Sequence, residues 1–188
     1  MITIFSAIDK KQVEKFENGS IREKPFIDIL TQSNQIKLSQ IDRALNVLAD
    51  GDEESPYWEV FGGEVLAGGD GEALVINTIS FENEEGGSCE ICDPTVYQNE
   101  EEAGMISAFL EEINETAFKK QFDTKIKKLT RWSFFNKGKK ELKENADEIL
   151  DVLWEEFDRL RSFYKNINAG EYVVIYTVYE EEDFEMAN

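Results

Sequence analysis

Apolar residues recur along the chain with two different spacings, which predict strands in some segments and helices in others. The strand-like segments are β-branched or aromatic runs at 2–8, 73–81 and 171–179. The run at 171–179 has apolar residues on both faces, which predicts a central strand covered by helices on both sides. Residues 88–98 are expected to return as a strand or an extended loop.

Helices are predicted where apolar residues lie three or four positions apart. Asp9 and Ser39 precede two such segments as expected N-caps, and Asn99 with Glu102 has the spacing of a capping box. The helix that follows is expected to bury Met105 in its apolar stripe. The predicted helical segments are 9–16, 25–30, 39–51, 57–61, 100–113, a short helix containing Phe118 and Phe122, and 139–168.

Strands near both ends and in the middle of the chain, separated by helices, predict an α/β fold. We expect a three-layer α/β/α sandwich with a small mixed sheet, organised as a single domain over residues 1–188. The length of 188 residues and the apolar fraction of 41% suffice for one hydrophobic core. The acidic segment 180–188 is expected to be a frayed tail.

The composition adds a strong negative charge and a complete absence of histidine. Asp and Glu number 40 against 20 Lys and Arg, a formal net charge of -20, which favours basic partners over nucleic acids and anionic membranes. Without His, Ser-His-Asp triads and His-based metal sites are excluded. No apolar run reaches the ~18 residues of a membrane helix, and the start lacks a secretion signal, so the expected location is the cytoplasm.

Three stretches of the chain have a recognisable pattern, and their most specific pieces are IDRALNVL at 41–48, the GGE at 62–64, and FDRLRSFY at 157–164 leading through Gly170 into the last strand. Together these residues resemble the YfbM-like bacterial family, known as domain of unknown function 1877. The resemblance covers most of the chain and implies a three-layer α/β fold. Between Asp70 and Asn99 the chain carries a longer, acidic connection than the family pattern leads us to expect. The family brings no established activity and hence no catalytic residues.

The segment ESPYWEVFGGEVLAGGDGE at 54–72 places aromatics and acids among glycines, with no Lys or Arg. A phosphate loop is excluded because no G-x-x-x-x-G-K-[ST] motif is present and acids repel phosphate. Two interpretations stand: a structural loop whose aromatics pack on the helix at 41–48, or an acidic contact surface with aromatic anchors. The partner- or ligand-binding candidates are Tyr57, Trp58, Glu59, Phe61, Glu64 and Asp70.

Charges segregate along the chain. From Asp50 through Glu115 there are 19 acids and no basic residue, whereas 119–143 carries ten basic residues and two acids. With several aromatics nearby, this stretch resembles a nucleic-acid patch, but the net charge opposes the approach of a polyanion. The favoured interpretation is a basic face paired with acids of the same or a neighbouring subunit. The basic-patch candidates are Lys125, Lys127, Lys128 and Arg131.

Two short motifs resemble metal sites but lack essential ligands. Cys89 and Cys92 form a C-x-x-C without a second pair or histidines, and the surrounding acids disfavour a thiolate. In a strand, residues three apart also point to opposite faces. The DGDEES at 50–55 begins like a calcium loop but has Ser55 and Phe61 where Gly and Glu belong, which leaves a weak cation site as the alternative. We predict no metal and no cofactor.

The leading functional hypothesis is a non-enzymatic, acidic protein-binding module that engages a basic partner, with a toxin antagonist or immunity protein as one role. It rests on the segregated charge and on the absence of a catalytic motif in the sequence. The alternative is a small-ligand binder or carboxylate-based enzyme that uses Tyr57, Trp58, Glu59 and Glu64, because paired carboxylates can perform acid-base chemistry. No catalytic residue is assigned.

Overall fold

The computed structural model describes residues 1–50, 52, 54–76, 78–82, 88–130 and 142–179. The strands are β1 (Ile2–Asp9), β2 (Asn34–Leu38), β3 (Glu64–Val65), β4 (Thr78–Glu82), β5 (Ser88–Cys92), β6 (Val96–Gln98) and β7 (Glu171–Val178). The α-helices are α1 (Lys10–Glu17), α2 (Glu23–Gln32), α3 (Ile41–Ala49), α4 (Glu100–Glu111), α5 (Glu115–Thr130) and α6 (Ala146–Lys165), and a 3-10 helix spans Pro56–Phe61.

The main sheet has five strands in the order β2-β1-β7-β6-β3, and β4 pairs with β5 in a separate two-stranded sheet. The predicted α/β class and the central position of β7 are confirmed. The sheet is antiparallel at each pairing of the described strands, rather than mixed. The reason lies partly in β2, which the sequence interpretation missed. Two helices connect β1 to β2, whereas a parallel β-α-β crossover has a single helix, and β2 therefore runs antiparallel to β1.

The chain forms two compact units, and the first comprises Met1–Ser39, Phe61–Gly104 and Asn166–Asn188. Helices α1 and α2 pack with one face of the main sheet, where the rings of Phe16 and Phe26 stack with centroids 4.5 Å apart. Side chains on the other face of β1 and β7, including Phe5 and Ile175, are buried as well. Burial on both faces explains why β7 is apolar along both of its sides.

The second unit comprises Gln40–Val60 and Met105–Lys165, and its centre is aromatic. The ring of Phe118 on α5 lies 5.5 Å from that of Trp154 and 5.4 Å from that of Phe157, both on α6. The guanidinium of Arg161 lies 5.4 Å from the centroid of the Trp154 ring and donates to the Ile113 carbonyl at 2.9 Å. The single-domain organisation over 1–188 stays a prediction, and residues 180–188 lie outside the described part of the chain.

Local capping signals were predicted correctly at two helices. The Asp9 side chain accepts a hydrogen bond from Lys11 N at 2.8 Å at the start of α1. At α4, Glu102 N donates to Asn99 Oδ1 at 3.1 Å and Asn99 N donates to Glu102 Oε2 at 2.8 Å. This reciprocal pair is the predicted capping box, and it satisfies two backbone donors at the helix start.

The expected cap at Ser39 is wrong, because α3 is preceded by Gln40 and no side chain of its own segment caps it. The acceptor there comes from a distant helix. Glu156 on α6, a carboxylate that is only 8% exposed, accepts a hydrogen bond from Gln40 N at 3.3 Å. A carboxylate at a helix N-terminus is also favoured by the helix dipole.

The burial of one residue and the bounds of two elements differ from the sequence prediction. Met105, predicted to be buried in one stripe with Phe109, Leu110 and Ile113, is 60% exposed, whereas Leu110 is fully buried, so the prediction is confirmed at Leu110 and wrong at Met105. The helix predicted over 139–168 is interrupted by a turn at Asn145, so that α6 starts at Ala146 and ends at Lys165. The strand predicted over 73–81 is reduced to an isolated bridge at Ala73 and strand β4.

Candidate functional site

The six candidates from the segment 54–72 are divided between the two units. Tyr57, Trp58 and Glu59 belong to the second unit, and Phe61, Glu64 and Asp70 belong to the first. The small-ligand alternative, which requires Glu64 beside Tyr57, Trp58 and Glu59, stays a prediction.

The 3-10 helix holds Tyr57 and Trp58 at the surface of the second unit. Trp58 N donates to the Ser55 carbonyl at 3.1 Å, and its indole Nε1 donates to the Asp52 carbonyl at 2.9 Å. Ser55 and Val60 are buried and anchor this short helix in the unit. The indole ring is thus fixed by its only donor while part of it stays exposed.

The half-buried Tyr57 ring packs edge-on against Phe109 of α4, with centroids 5.6 Å apart. Burial, and then the negative charge of the nearby Glu112, raise the pKa of the Tyr57 phenol above its ordinary value. The phenol therefore remains a neutral hydroxyl at physiological pH. Sequence reasoning missed Phe109 and Glu112 as part of this surface, although their i,i+3 spacing on one helix places them side by side.

Three exposed glutamates are associated with these two aromatic residues. Glu54 and Glu59 lie on either side of them in the chain, and Glu112 lies close to the Tyr57 hydroxyl. We refer to Glu54, Tyr57, Trp58, Glu59 and Glu112 as the acidic-aromatic patch. Its chemistry suits a positively charged group, which can meet both carboxylates and ring faces.

In the first unit, Glu64 has a defined structural partner. Its Oε2 accepts a hydrogen bond from the hydroxyl of Tyr97 at 2.9 Å, and the Tyr97 ring stacks on Tyr172 with centroids 5.6 Å apart. Burial, followed by the hydrogen bond to Glu64 and the charge of Glu17, raises the pKa of Tyr97 far above its ordinary value. Tyr97 was not among the sequence candidates. Phe61, the next candidate, lies with its ring centroid 6.5 Å from that of Phe5.

The glycines of the segment are explained by close backbone approaches. A Cβ built on Gly69 would lie 2.5 Å from both Cα and N of Gly19, where no real Cβ fits. A Cβ on Gly63 would lie 2.5 Å from the Tyr97 carbonyl oxygen, and Gly63 has a φ of 151°. Both positions therefore need glycine for the close approach of two backbone segments.

Two of the four basic-patch candidates bind acceptors within the second unit. Lys125 Nζ donates to the Asn46 carbonyl at 2.6 Å and to Asn46 Oδ1, and Lys128 pairs with Asp50 at the end of α3. Burial, partly opposed by Asp50, lowers the pKa of the Lys125 ammonium. Lys127 is exposed, and Arg131 lies outside the described residues.

A family model described as a domain of unknown function (DUF1877) matches residues 1–177. The chain belongs to this family. The resemblance predicted from the sequence is thereby confirmed. The solved structure of YfbM from Escherichia coli, titled a protein of unknown function, matches at a TM-score of 0.57 over 93% of this chain and 98% of that chain. Its sequence identity is 14%, so the likeness shows the fold alone.

No curated protein matches the chain. These comparisons therefore give this chain a family and a fold but no residue roles. Among the helices of the described residues, each is too short or too polar to cross a bilayer.

Among the described residues, no three His, Cys, Asp or Glu side chains cluster in a way that suits a metal ion. Cys89 and Cys92 both lie in β5, opposite Phe81 and Thr78 in the register of the β4-β5 pair. In the 50–55 segment, Asp52 Oδ1 accepts a hydrogen bond from Glu54 N at 3.0 Å. Gly51 and Glu53 lie outside the described residues.

Proposed function

We propose that this DUF1877 protein is a non-enzymatic binding module that engages a basic protein partner through the acidic-aromatic patch. The observation that supports this most directly is the half-exposed Tyr57 and Trp58 pair flanked by the exposed carboxylates of Glu54 and Glu59. Aromatic side chains with part of their surface free are the residues that contribute most to binding when a partner covers them.

The partner's contact residues are Lys or Arg side chains. Carboxylates steer a basic protein towards the patch, and the net charge of -20 extends this attraction beyond the patch itself. At short range, an Arg or Lys side chain can lie over an aromatic ring while its charged end meets Glu54, Glu59 or Glu112. Charge thus governs the rate of encounter, and the rings contribute to the lifetime of the complex.

The positions of the lysines support a protein partner over a nucleic acid. Lys125 and Lys128 are directed to Asn46 and Asp50, so half of the four predicted patch residues already serve the second unit. A nucleic acid needs several basic groups available together for its phosphates. In addition, the 19 acids between Asp50 and Glu115 repel a polyanion.

The role that we infer for such a complex is to neutralise a cationic protein in the cytoplasm, as an immunity protein does for a toxin. The charge of the chain and the lack of a catalytic motif in its sequence support this role. A gene for a cationic toxin next to the gene for this protein is the genomic observation expected from it.

Pull-down from the native host with the full chain as bait tests the proposal. The affinity of the purified partner is then measured by titration at low and at high salt. The double variant Glu54→Lys/Glu59→Lys should weaken binding by about tenfold or more, because it replaces attraction with repulsion at the contact. The matched control is Asp151→Lys/Glu155→Lys, which makes the same charge change at exposed positions of α6 in the same unit. Equal effects of the two double variants, or a complex insensitive to salt, would contradict the proposal.

A further inference from the structure

A groove with a volume of about 440 Å³ lies within the first unit, between the turn that joins α1 to α2 and the glycine loop 66–74. Its apolar surface comes from Phe16, Ile21 and Leu74, and two of these, Phe16 and Leu74, are almost fully buried. The charged residues that line it are Arg22, Glu23, Asp70 and Glu72.

Both walls of the groove are held by backbone contacts. The glycine loop is closed by Gly68 N donating to the Glu72 carbonyl at 2.9 Å and by Gly71 N donating to the Gly68 carbonyl at 2.8 Å. The opposite wall is fixed to it where Gly69 meets Gly19 without room for a Cβ. The groove is therefore a feature of the folded backbone and not of side-chain position alone.

The charges in the groove are of both signs and are not neutralised by each other. Arg22 lies on the α2 wall, whereas Asp70 and Glu72 lie on the glycine-loop wall. Within the described part of the chain, the Arg22 guanidinium forms no ion pair or hydrogen bond, and neither do the carboxylates of Glu23 and Glu72. The start of α2 also lacks a side-chain cap, and because Pro25 has no N–H, Glu23 is the groove-lining residue whose backbone N–H needs an acceptor.

We propose that this groove binds a small zwitterion of the α-amino acid class. The ligand's carboxylate meets the Arg22 guanidinium and the backbone N–H of Glu23 at the start of α2, where the helix dipole adds to the attraction. The ligand's ammonium group meets Asp70 and Glu72, and its side chain lies on the half-buried Ile21, above Phe16 and Leu74. A polyanion is disfavoured by three carboxylates around one arginine, and a simple cation leaves Arg22 without a partner.

The volume fits this class of ligand. Small-molecule sites in proteins enclose ~300–1,000 Å³ and combine an apolar lining with a few polar groups that fix the ligand's orientation. The groove is at the small end of this range, which suits a single amino acid better than a nucleotide. The site lies in the first unit and shares no residue with the acidic-aromatic patch, so either proposal can fail without the other.

This proposal is tested by measuring how each free L-amino acid binds to the full chain. Thermal shift is used first, followed by isothermal titration calorimetry. At least one should bind saturably with a Kd below about 1 mM. The N-acetyl derivative and the amide of the same amino acid should each bind about tenfold or more weakly, because each removes one charge of the zwitterion. This comparison needs no protein variant.

Two variants then locate the site. Arg22→Gln should weaken binding of the amino acid about tenfold or more, because the ligand's carboxylate loses its partner while the contacts of its ammonium group remain. Asp70→Asn/Glu72→Gln should weaken binding by a similar factor, because the ligand's ammonium group then loses its partners. Arg43→Gln, at an exposed position of α3 in the second unit, is the matched control and should bind like the wild type. The proposal is overturned if no amino acid binds, if the two blocked derivatives bind as well as the parent, or if Arg22→Gln and Arg43→Gln behave alike.

Discussion

At the scale of single residues, two glycines of the segment 54–72 are required by close backbone packing. Gly69 and Gly63 stand where a Cβ has no room, against Gly19 and the Tyr97 carbonyl respectively. The aromatic residues are held individually, Trp58 by its indole N–H and Tyr57 by Phe109. What these contacts leave exposed is the surface that a partner can use.

Gly69→Ala should destabilise the protein by about 1–3 kcal/mol, because the added methyl group forces the two loops apart. Gly104→Ala should have the opposite sign and stabilise it by about 0.5–1 kcal/mol, since a Cβ at this exposed position of α4 meets no atom within 4 Å and alanine favours the helix. Urea denaturation of both variants measures the two free energies of unfolding. Similar effects of the two substitutions would show that the loop contact contributes nothing.

At the scale of elements, α3 shows how separate helices stabilise one another in the second unit. Its N-terminus receives the carboxylate of Glu156 from α6, and its C-terminus receives Lys125 and Lys128 from α5. A negative charge at the start and positive charges at the end both complement the helix dipole. The predicted pairing of the basic stretch with acids of the same subunit is therefore seen at Asp50, the residue that ends α3.

The pair formed by Asp50 and Lys128 predicts a pH-dependent contribution to stability. The hydrogen bond from Lys128 holds the pKa of Asp50 below its ordinary value of 3.8. Because the folded-state pKa is the lower one, the stabilisation is fully present above the ordinary value and is lost as the pH falls through the folded-state value. Asp50→Asn should therefore be less stable than the wild type at pH 7 and equally stable at the acid end.

Urea denaturation of the wild type and Asp50→Asn between neutral and acidic pH measures this difference. Asparagine suits the left-handed backbone of this position, with φ at 50°, so the substitution isolates the charge. Asp52→Asn is the control, as Asp52 has no basic partner among the described residues. A difference between wild type and Asp50→Asn that stays constant over the whole pH range would contradict the assignment to the ion pair.

At the scale of the whole molecule, the excess of acids dominates. The ion pairs at Lys10–Glu100, Lys128–Asp50 and Lys165–Glu111 are exposed and neutralise few of the 40 acidic residues. Exposed pairs contribute little to stability, whereas like charges spread over one molecule repel each other in the folded state.

Added salt should consequently stabilise the protein at pH 7. Raising sodium chloride from about 0.02 M to about 0.3 M shortens the range of electrostatic repulsion, and the melting temperature should rise by a few degrees, as about 1 kcal/mol produces for a protein of this size. Potassium chloride should give the same rise, because screening depends on ionic strength. A melting temperature that stays flat or falls would mean that favourable pairs outweigh the repulsion.

Features encoded within a few residues were predictable from the sequence. The capping box of Asn99 and Glu102, the strand at 171–179 and the short helix at Tyr57–Phe61 each depend on neighbouring residues, and the family resemblance extended this to the α/β fold. Strand β2 was missed because an edge strand with few apolar residues has only a weak pattern of its own. The burial of Met105 was predicted wrongly because the apolar residues of α4 permit more than one buried face.

By itself, the sequence determined the α/β class, the family, the charge of the molecule and the chemistry that the lack of histidine excludes, since these depend on composition and local pattern. The tertiary structure alone decided which charged groups meet. The acceptor for Gln40 comes from 116 residues away and the donor for Asn46 from 79 residues away. The groove at Gly19 and Gly69 likewise joins two distant loops. Such contacts leave no local periodicity, because side chains far apart in the chain are brought together only by the packing of the elements that carry them.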